Sequence, residues 1–222
     1  MSSAIIQLLV LAGIAVFLIL RLRSVLGTRD GFEKPPAPLP GTDDGRRRGR
    51  PDFDVIDGGP DRDITDHVSD GSDSAKALAA MKMAEPGFRI SEFLNGARQA
   101  YEMILMAFER GDIEGVRAFL SAEVAEAFDM VIAQRKSEGL TIEATFVGVR
   151  EVTLVNATFD RETSEGDISV RFAGELTSVV KNAEGKVVEG NVNDIKRQRD
   201  VWTFSRAMGA NDPNWVLVAT EE

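Results

Sequence analysis

Few side chains in this chain can make or break bonds. It has no cysteine and a single histidine, His67. A thiol nucleophile, a disulfide framework and a zinc–thiolate site are therefore excluded. His67 stands in an Asp- and Gly-rich stretch and reads as a solvated linker histidine. With no second imidazole, Ser-His-Asp and Cys-His arrangements are excluded as well. Carboxylates remain. Glu143, Glu175, Glu189 and Asp200 fall in segments with strand periodicity. Such an acid can serve as a general base if burial or a partner raises its pKa. Alternation places most of these acids beside the apolar face, not among it. No Asp-x-Asp-x-Asp-Gly calcium loop is present. Asp57-Gly58-Gly59 and Asp70-Gly71 read as turns, because no glycine-rich loop joins a strand to a helix. The expectation is a protein without metal or cofactor that binds rather than catalyses.

The elements that would hold a binding surface are legible from periodicity. Residues 74–84, rich in alanine, read as a short helix that ends at the breaker pair Pro86-Gly87. Ser91 is the expected N-cap of a longer helix. Phe93, Leu94, Ala97, Ala100, Tyr101, Ile104, Leu105 and Phe108 recur there at spacings of three and four. Gly111 stops that helix, and Asp112 caps a short piece over 113–120. Ser121 caps another helix, with Val124, Phe128, Val131 and Ile132 on one face and Gly139 as its stop.

After Leu140 the period changes to two. Ile142, Ala144 and Phe146 alternate with polar neighbours, and an apolar run resumes over 152–159. Ile168, Val170 and Phe172 share a face, as do Trp202 and Phe204. Asn182-Ala183-Glu184-Gly185 reads as a hairpin turn, and Trp215, Leu217 and Ala219 form a last strand. Helices followed by an antiparallel meander predict an α+β domain, its helices on one face of a curved sheet.

The chain ahead of this domain reads differently. Residues 4–20 are apolar apart from Gln7. As a helix they span about 26 Å, and Leu22, Val25 and Leu26 can extend them across a ~30 Å hydrocarbon core. Arg21 and Arg23 follow at the expected membrane interface, where their stems can snorkel to the headgroups. The residues before the span carry no positive charge and no small-x-small cleavage site follows it, so the segment reads as a retained anchor. The arginines on its C-terminal side place the remainder of the chain in the cytoplasm, and a bacterial inner membrane is the expected location.

Residues 29–73 then have little apolar content and no periodicity, which predicts a disordered Pro/Gly/Asp-rich tether. Within it, Arg46-Arg47-Arg48-Gly49-Arg50 reads as a solvated charge run or as a contact for anionic headgroups. The whole chain carries a formal charge of -10. Residues 74–222 alone carry 17 basic and 24 acidic side chains, so they repel phosphate backbones and nucleic acid is not an expected partner.

A family resemblance rests on particular stretches. They are Phe93-Leu94-Asn95-Gly96-Ala97-Arg98, Tyr101-Glu102-Met103-Ile104, Ala107-Phe108-Glu109-Arg110-Gly111-Asp112, Trp202-Thr203-Phe204-Ser205-Arg206 and Pro213-Asn214-Trp215-Val216-Leu217. In this order they resemble the Tim44-like domain, the C-terminal domain of the mitochondrial import-motor adaptor. Arg21-Leu22-Arg23-Ser24-Val25-Leu26-Gly27 and Gly31-Phe32-Glu33 resemble the opening of its bacterial, TimA-type members.

The resemblance implies a cone-shaped fold of the nuclear-transport-factor-two type, in which helices close a curved sheet around an apolar pocket. It implies an adaptor of protein translocation, with a translocon or chaperone partner and contact with anionic lipid. This chain departs from the mitochondrial members in having its own anchor and a short tether. Phe93, Tyr101, Phe108, Phe128, Phe146, Trp202, Phe204 and Trp215 are the candidate lining of the pocket. The alternatives are a cone-fold enzyme with a buried carboxylate, and a scaffold without a ligand.

Overall fold

The computed structural model describes residues 61–221. In chain order these form α1 (Arg62–Thr65), α2 (Asp73–Ala84), α3 (Ile90–Arg110), a 3-10 segment (Glu114–Phe119) and α4 (Ala122–Ser137). The strands follow: β1 (Thr141–Phe159), β2 (Glu165–Lys181), β3 (Val187–Ala207) and β4 (Val216–Glu221). All neighbouring strands pair antiparallel in the order β1-β2-β3-β4, a simple meander. The α+β architecture expected from the change of period is present. The expected span at residues 4–20, with Arg21 and Arg23, lies outside the described residues. Among the described residues no helix is long and apolar enough to cross a membrane.

The long helix forms as its stripe predicts. Ile90, Phe93, Leu94, Ala97, Tyr101, Ile104 and Leu105 are buried along one face of α3. Its far end stops at Gly111, which takes φ 72° and returns its N–H to Ala107 and Phe108. A Cβ at that angle is strained for any other residue. Asp112 accepts from the Glu114 N–H at 3.1 Å, and Ser121 accepts from Val124 at 3.2 Å. The Ser121 cap is where the sequence puts it, whereas the N-cap of the 3-10 segment is Ile113, one residue after Asp112, and makes no side-chain cap hydrogen bond.

The near end of α3 does not start as expected. Ser91 is not its cap, and the N-cap residue, Arg89, makes no side-chain cap hydrogen bond. The cap comes from α1. Asp63 accepts from the Ile90 N–H at 2.9 Å and from the Ser91 N–H at 3.2 Å. Lys82 of α2 holds the same carboxylate at 2.9 Å and Asp61 at 2.5 Å. Next to it Ile64 is 7% exposed and joins the core.

The predicted disordered stretch 29–73 is thus corrected over 61–73. Its polar composition conceals one buried apolar side chain and a carboxylate that closes a helix end. Residues 29–60 lie outside the described residues. Burial alone would raise the Asp63 carboxyl. The Ile90 N–H, Lys82 and the Ser91 N–H outweigh it and hold the group at about 2.

The helices pack on one face of the sheet. Ile168, Val170 and Phe172 of β2 and Trp202 and Phe204 of β3 project into that layer and are all 5% exposed or less. Tyr101 stacks on Phe172 with centroids 4.4 Å apart and tilts against Trp202 at 4.7 Å. Such close approach requires Gly174 beneath the ring. A Cβ there would lie 2.6 Å from the Tyr101 hydroxyl oxygen.

The apolar runs 142–146 and 152–159 belong to one strand, not two. β1 is continuous and carries register shifts at Phe146/Gly148, Val149/Glu151 and Leu154/Asn156. Each bulge inserts a residue, breaks the strict alternation and bends the strand.

β3 is much longer than β4. β4 covers only Val201–Ser205, so among the described residues the paired positions between 187 and 200 meet β2 alone, and 191–194 bulge out of the ladder. Between Thr177 and Val179 the register slips, and Gly190 crosses there with φ 81°. A Cβ on Gly190 would sit 2.1 Å from the Ser178 carbonyl oxygen.

Candidate functional site

The predicted pocket residues separate into three groups. Phe146, Phe172 and Trp202 gather around Tyr101. Tyr101 is 0% and Trp202 5% exposed, Phe146 is half-buried, and none of the three lines the groove described below. Phe108 and Phe128 pair at 4.6 Å where α3 meets α4. Arg135 lies over the Phe108 ring at 4.3 Å and donates to its carbonyl at 3.2 Å. Phe93, Phe204 and Trp215 form the third group and line a groove.

The groove has a volume of about 470 Å³ and runs between α3 and the turn that leads into β4. Its aromatic wall is built by contact. Trp215 sits 4.6 Å from Phe93 and 5.8 Å from Phe88, and Phe93 meets Phe204 edge-on at 6.0 Å. Beyond Phe93 on the same helix, the small residues Gly96, Ala97 and Ala100 continue the lining and leave the space open. A Cβ added at Gly96 meets nothing within 4 Å. Met103 at the rim is 40% exposed.

Trp215 is held in place by an ion pair that sequence reading does not reveal. Arg206 donates to Glu85 at 2.6 Å and to the Pro213 carbonyl at 3.1 Å, and its guanidinium lies 5.1 Å from the Trp215 ring centre. Glu85 accepts in addition from the Gly209 N–H at 2.9 Å. This pair ties the end of α2 to the turn carrying Trp215. The Arg206 side chain is 8% exposed, and its buried Nε finds no acceptor among the described residues. Burial acts to raise the Glu85 carboxyl, but the Gly209 N–H and Arg206 prevail and hold it below the ordinary range. The available signals were weak. Arg206 keeps the inward phase of Trp202 and Phe204, and Glu85 stands just before Pro86-Gly87.

A larger depression of about 720 Å³ lies over α4 and contains none of the predicted aromatic residues. It is an open helix face crossed by the Arg117–Asp129 ion pair at 3.0 Å, so we place the candidate site in the aromatic groove.

The strand carboxylates are accounted for separately. Glu143 and Glu189 are exposed. Asp200 faces inward and accepts a short hydrogen bond from the Tyr101 hydroxyl. Burial and the Asp200 charge push that hydroxyl well above its ordinary pKa. Glu175 is 3% exposed on the opposite face of the sheet, between Arg150 at 2.8 Å and Arg197 at 3.0 Å. Hydrogen bonds from Arg150 lead the effects that hold its carboxyl below the ordinary range, the reverse of what a general base needs. Neither Asp200 nor Glu175 lines the groove. Among the described residues no group of three or more His, Cys, Asp or Glu is placed to hold a metal ion.

Comparison with known proteins adds a family. A model of the Tim44-like domain matches residues 74–222. No curated protein matches the chain. Among solved structures it is similar to the crystal structure of the intermembrane space region of chloroplast protein ARC6. That similarity has a TM-score of 0.38 and 12% identity, over 59% of this chain and 92% of the other. The matched residues hold the groove, its Arg206–Glu85 clasp and the whole sheet, and on that match the chain belongs to the Tim44-like domain family.

Proposed function

We propose that this protein is a membrane-tethered adaptor that takes an apolar segment of a client polypeptide into the groove between α3 and the β4 turn. The observation that carries the reading is the groove lined by Phe93, Phe204 and Trp215 together with the small residues of α3. A concave apolar site with a few fixed polar groups at its rim is the usual form of a binding pocket. Family membership supports the adaptor class, whose members associate in general with membranes and translocation machinery. The apolar stretch 4–20 and the arginines after it support an inner-membrane anchor with the domain on the cytoplasmic side. A cone enclosing the groove, and a translocon or chaperone supplying the client, belong to the same proposal. No catalytic step is assigned, because the two buried strand carboxylates are engaged elsewhere.

The test is photo-crosslinking in living cells from a probe at Met103, on the groove rim. A probe at Met130, 65% exposed on α4, is the control. We expect polypeptide adducts from Met103 and not from Met130. Gly96→Leu fills the groove without a backbone clash and raises helix propensity, so the domain stays folded while the adducts disappear. Equal yields from both probes, or adducts that survive Gly96→Leu, would overturn the assignment. An acyl chain recovered at Met103 in place of polypeptide would replace the client reading with a lipid one.

A further inference from the structure

The sheet face turned away from the helices carries a charge pattern that the groove does not use. Ile168, Val170, Phe172, Trp202 and Phe204 point into the helical layer, so the residues between them point outward. Arg150, Arg171, Arg197 and Arg199 are all outward-facing and exposed. Arg150 and Arg197 share the buried Glu175 and remain 73% and 82% exposed. Arg171 and Arg199 have no ion-pair partner among the described residues. Across the strands, Ala173 pairs with Arg199 and Arg171 with Val201, which makes the two free guanidiniums diagonal neighbours. Two further acids border this patch: Glu151 lies beyond Ala173 from Arg199 and accepts from Thr153 at 2.9 Å, and Glu221 of β4 pairs with Val201, diagonal to Arg199. The patch is basic in a chain whose formal charge is -10.

We infer that this outer face docks an extended acidic segment of a partner polypeptide, with carboxylates at alternate positions. Two features favour that occupant. Arg197 and Arg199 stand two residues apart on one strand, about 6.8 Å, which is also the spacing of alternate side chains in an extended chain. Guanidinium forks take carboxylates in paired hydrogen bonds, so the match is one of geometry as well as of sign. A planar anionic membrane fits less well. It would face the acidic remainder of the domain within a screening length of about 8 Å, whereas a narrow peptide touches only the patch. This inference does not depend on the groove.

The test uses the full chain in neutral detergent micelles and two fluorescent decapeptides of equal charge. In one, Glu alternates with Thr. In the other, all the Glu residues precede all the Thr residues. The alternating peptide is expected to bind more tightly and to weaken as salt is raised. Arg171→Glu with Arg199→Glu should lower its affinity about tenfold and abolish the difference between peptides. Arg171→Gln with Arg199→Gln removes the same forks without adding like charge and should give a loss in the same direction. Both pairs leave the Glu175 cluster intact. Equal binding of the two peptides, no measurable binding, or unchanged affinity in both variants would overturn the inference. Phosphatidylglycerol vesicles that bind the parent but not the variants, with no peptide binding, would reassign the face to a membrane surface.

Discussion

Asp63→Ala should destabilise the domain by about 2 kcal/mol at neutral pH. The carboxyl is held at about 2 in the folded state against an ordinary 3.8. At ~1.36 kcal/mol per pH unit, that difference amounts to about 2 kcal/mol of folding free energy. A second route gives a similar figure: the loss of a helix cap costs about 1 kcal/mol, and the loss of hydrogen bonds to a charged acceptor about 1.5–3. For a domain of this size the change should lower Tm by about 4–8 °C. Asp63→Asn retains an acceptor but loses the charge that Lys82 faces, and should cost about half as much.

The pH dependence has a definite sign. The folded pKa lies below the unfolded one, so the contribution is complete well above 3.8 and is lost as pH falls toward 2. Urea unfolding followed by the fluorescence of Trp202 and Trp215 measures both effects. A difference from the parent below about 0.5 kcal/mol at neutral pH would refute the argument, as would a gap that stays constant down to pH ~2.

Further outcomes follow from the same geometry. Tyr101→Phe removes a buried donor to Asp200 and should cost about 2 kcal/mol in urea unfolding, with no loss of groove crosslinking. Gly174→Ala forces a methyl toward the Tyr101 hydroxyl and should cost about 1–3 kcal/mol, whereas Gly96→Leu should leave Tm within about 2 °C of the parent. Glu85→Gln frees the β4 turn, so Trp215 should become more accessible to acrylamide quenching. In the parent the same loosening should appear only as pH falls below the ordinary Glu value of 4.5, because the folded carboxyl is held beneath it.

The parts of the fold legible in the sequence are those that rest on local physics. The α3 stripe, the Gly111 stop and the Ser121 cap each depend on residues within a few positions of one another, and each is where it was expected. What could not be read depends on separation. Asp63 caps a helix that begins 27 residues later, and Glu85 meets Arg206 across 121. Nothing in either local sequence announces the partner. Bulges hid the continuity of β1, because each one shifts the phase by a residue and makes one strand read as two. The candidate aromatic residues show the same limit. Periodicity identified them as inward-facing, but inward positions supply both core and cavity. Only the small residues Gly96, Ala97 and Ala100 in the lining with Trp215 distinguish the groove from the cluster around Tyr101.

The unequal lengths of β3 and β4 leave residues 187–200 without a neighbouring strand on one side among the described residues. Val187, Val188, Val192 and Ile195 are exposed along this margin, so two molecules could in principle zip together there. A pairing of that kind needs a long, regular register. The crossing at Gly190 and the slip that follows it interrupt the register within a few residues, and Glu189, Lys196 and Arg197 set charges along what is left. The irregular strand is therefore a poor template for edge-to-edge pairing between copies of the domain. Replacing the irregularity with a straight ladder would create an edge prone to edge-to-edge polymerisation.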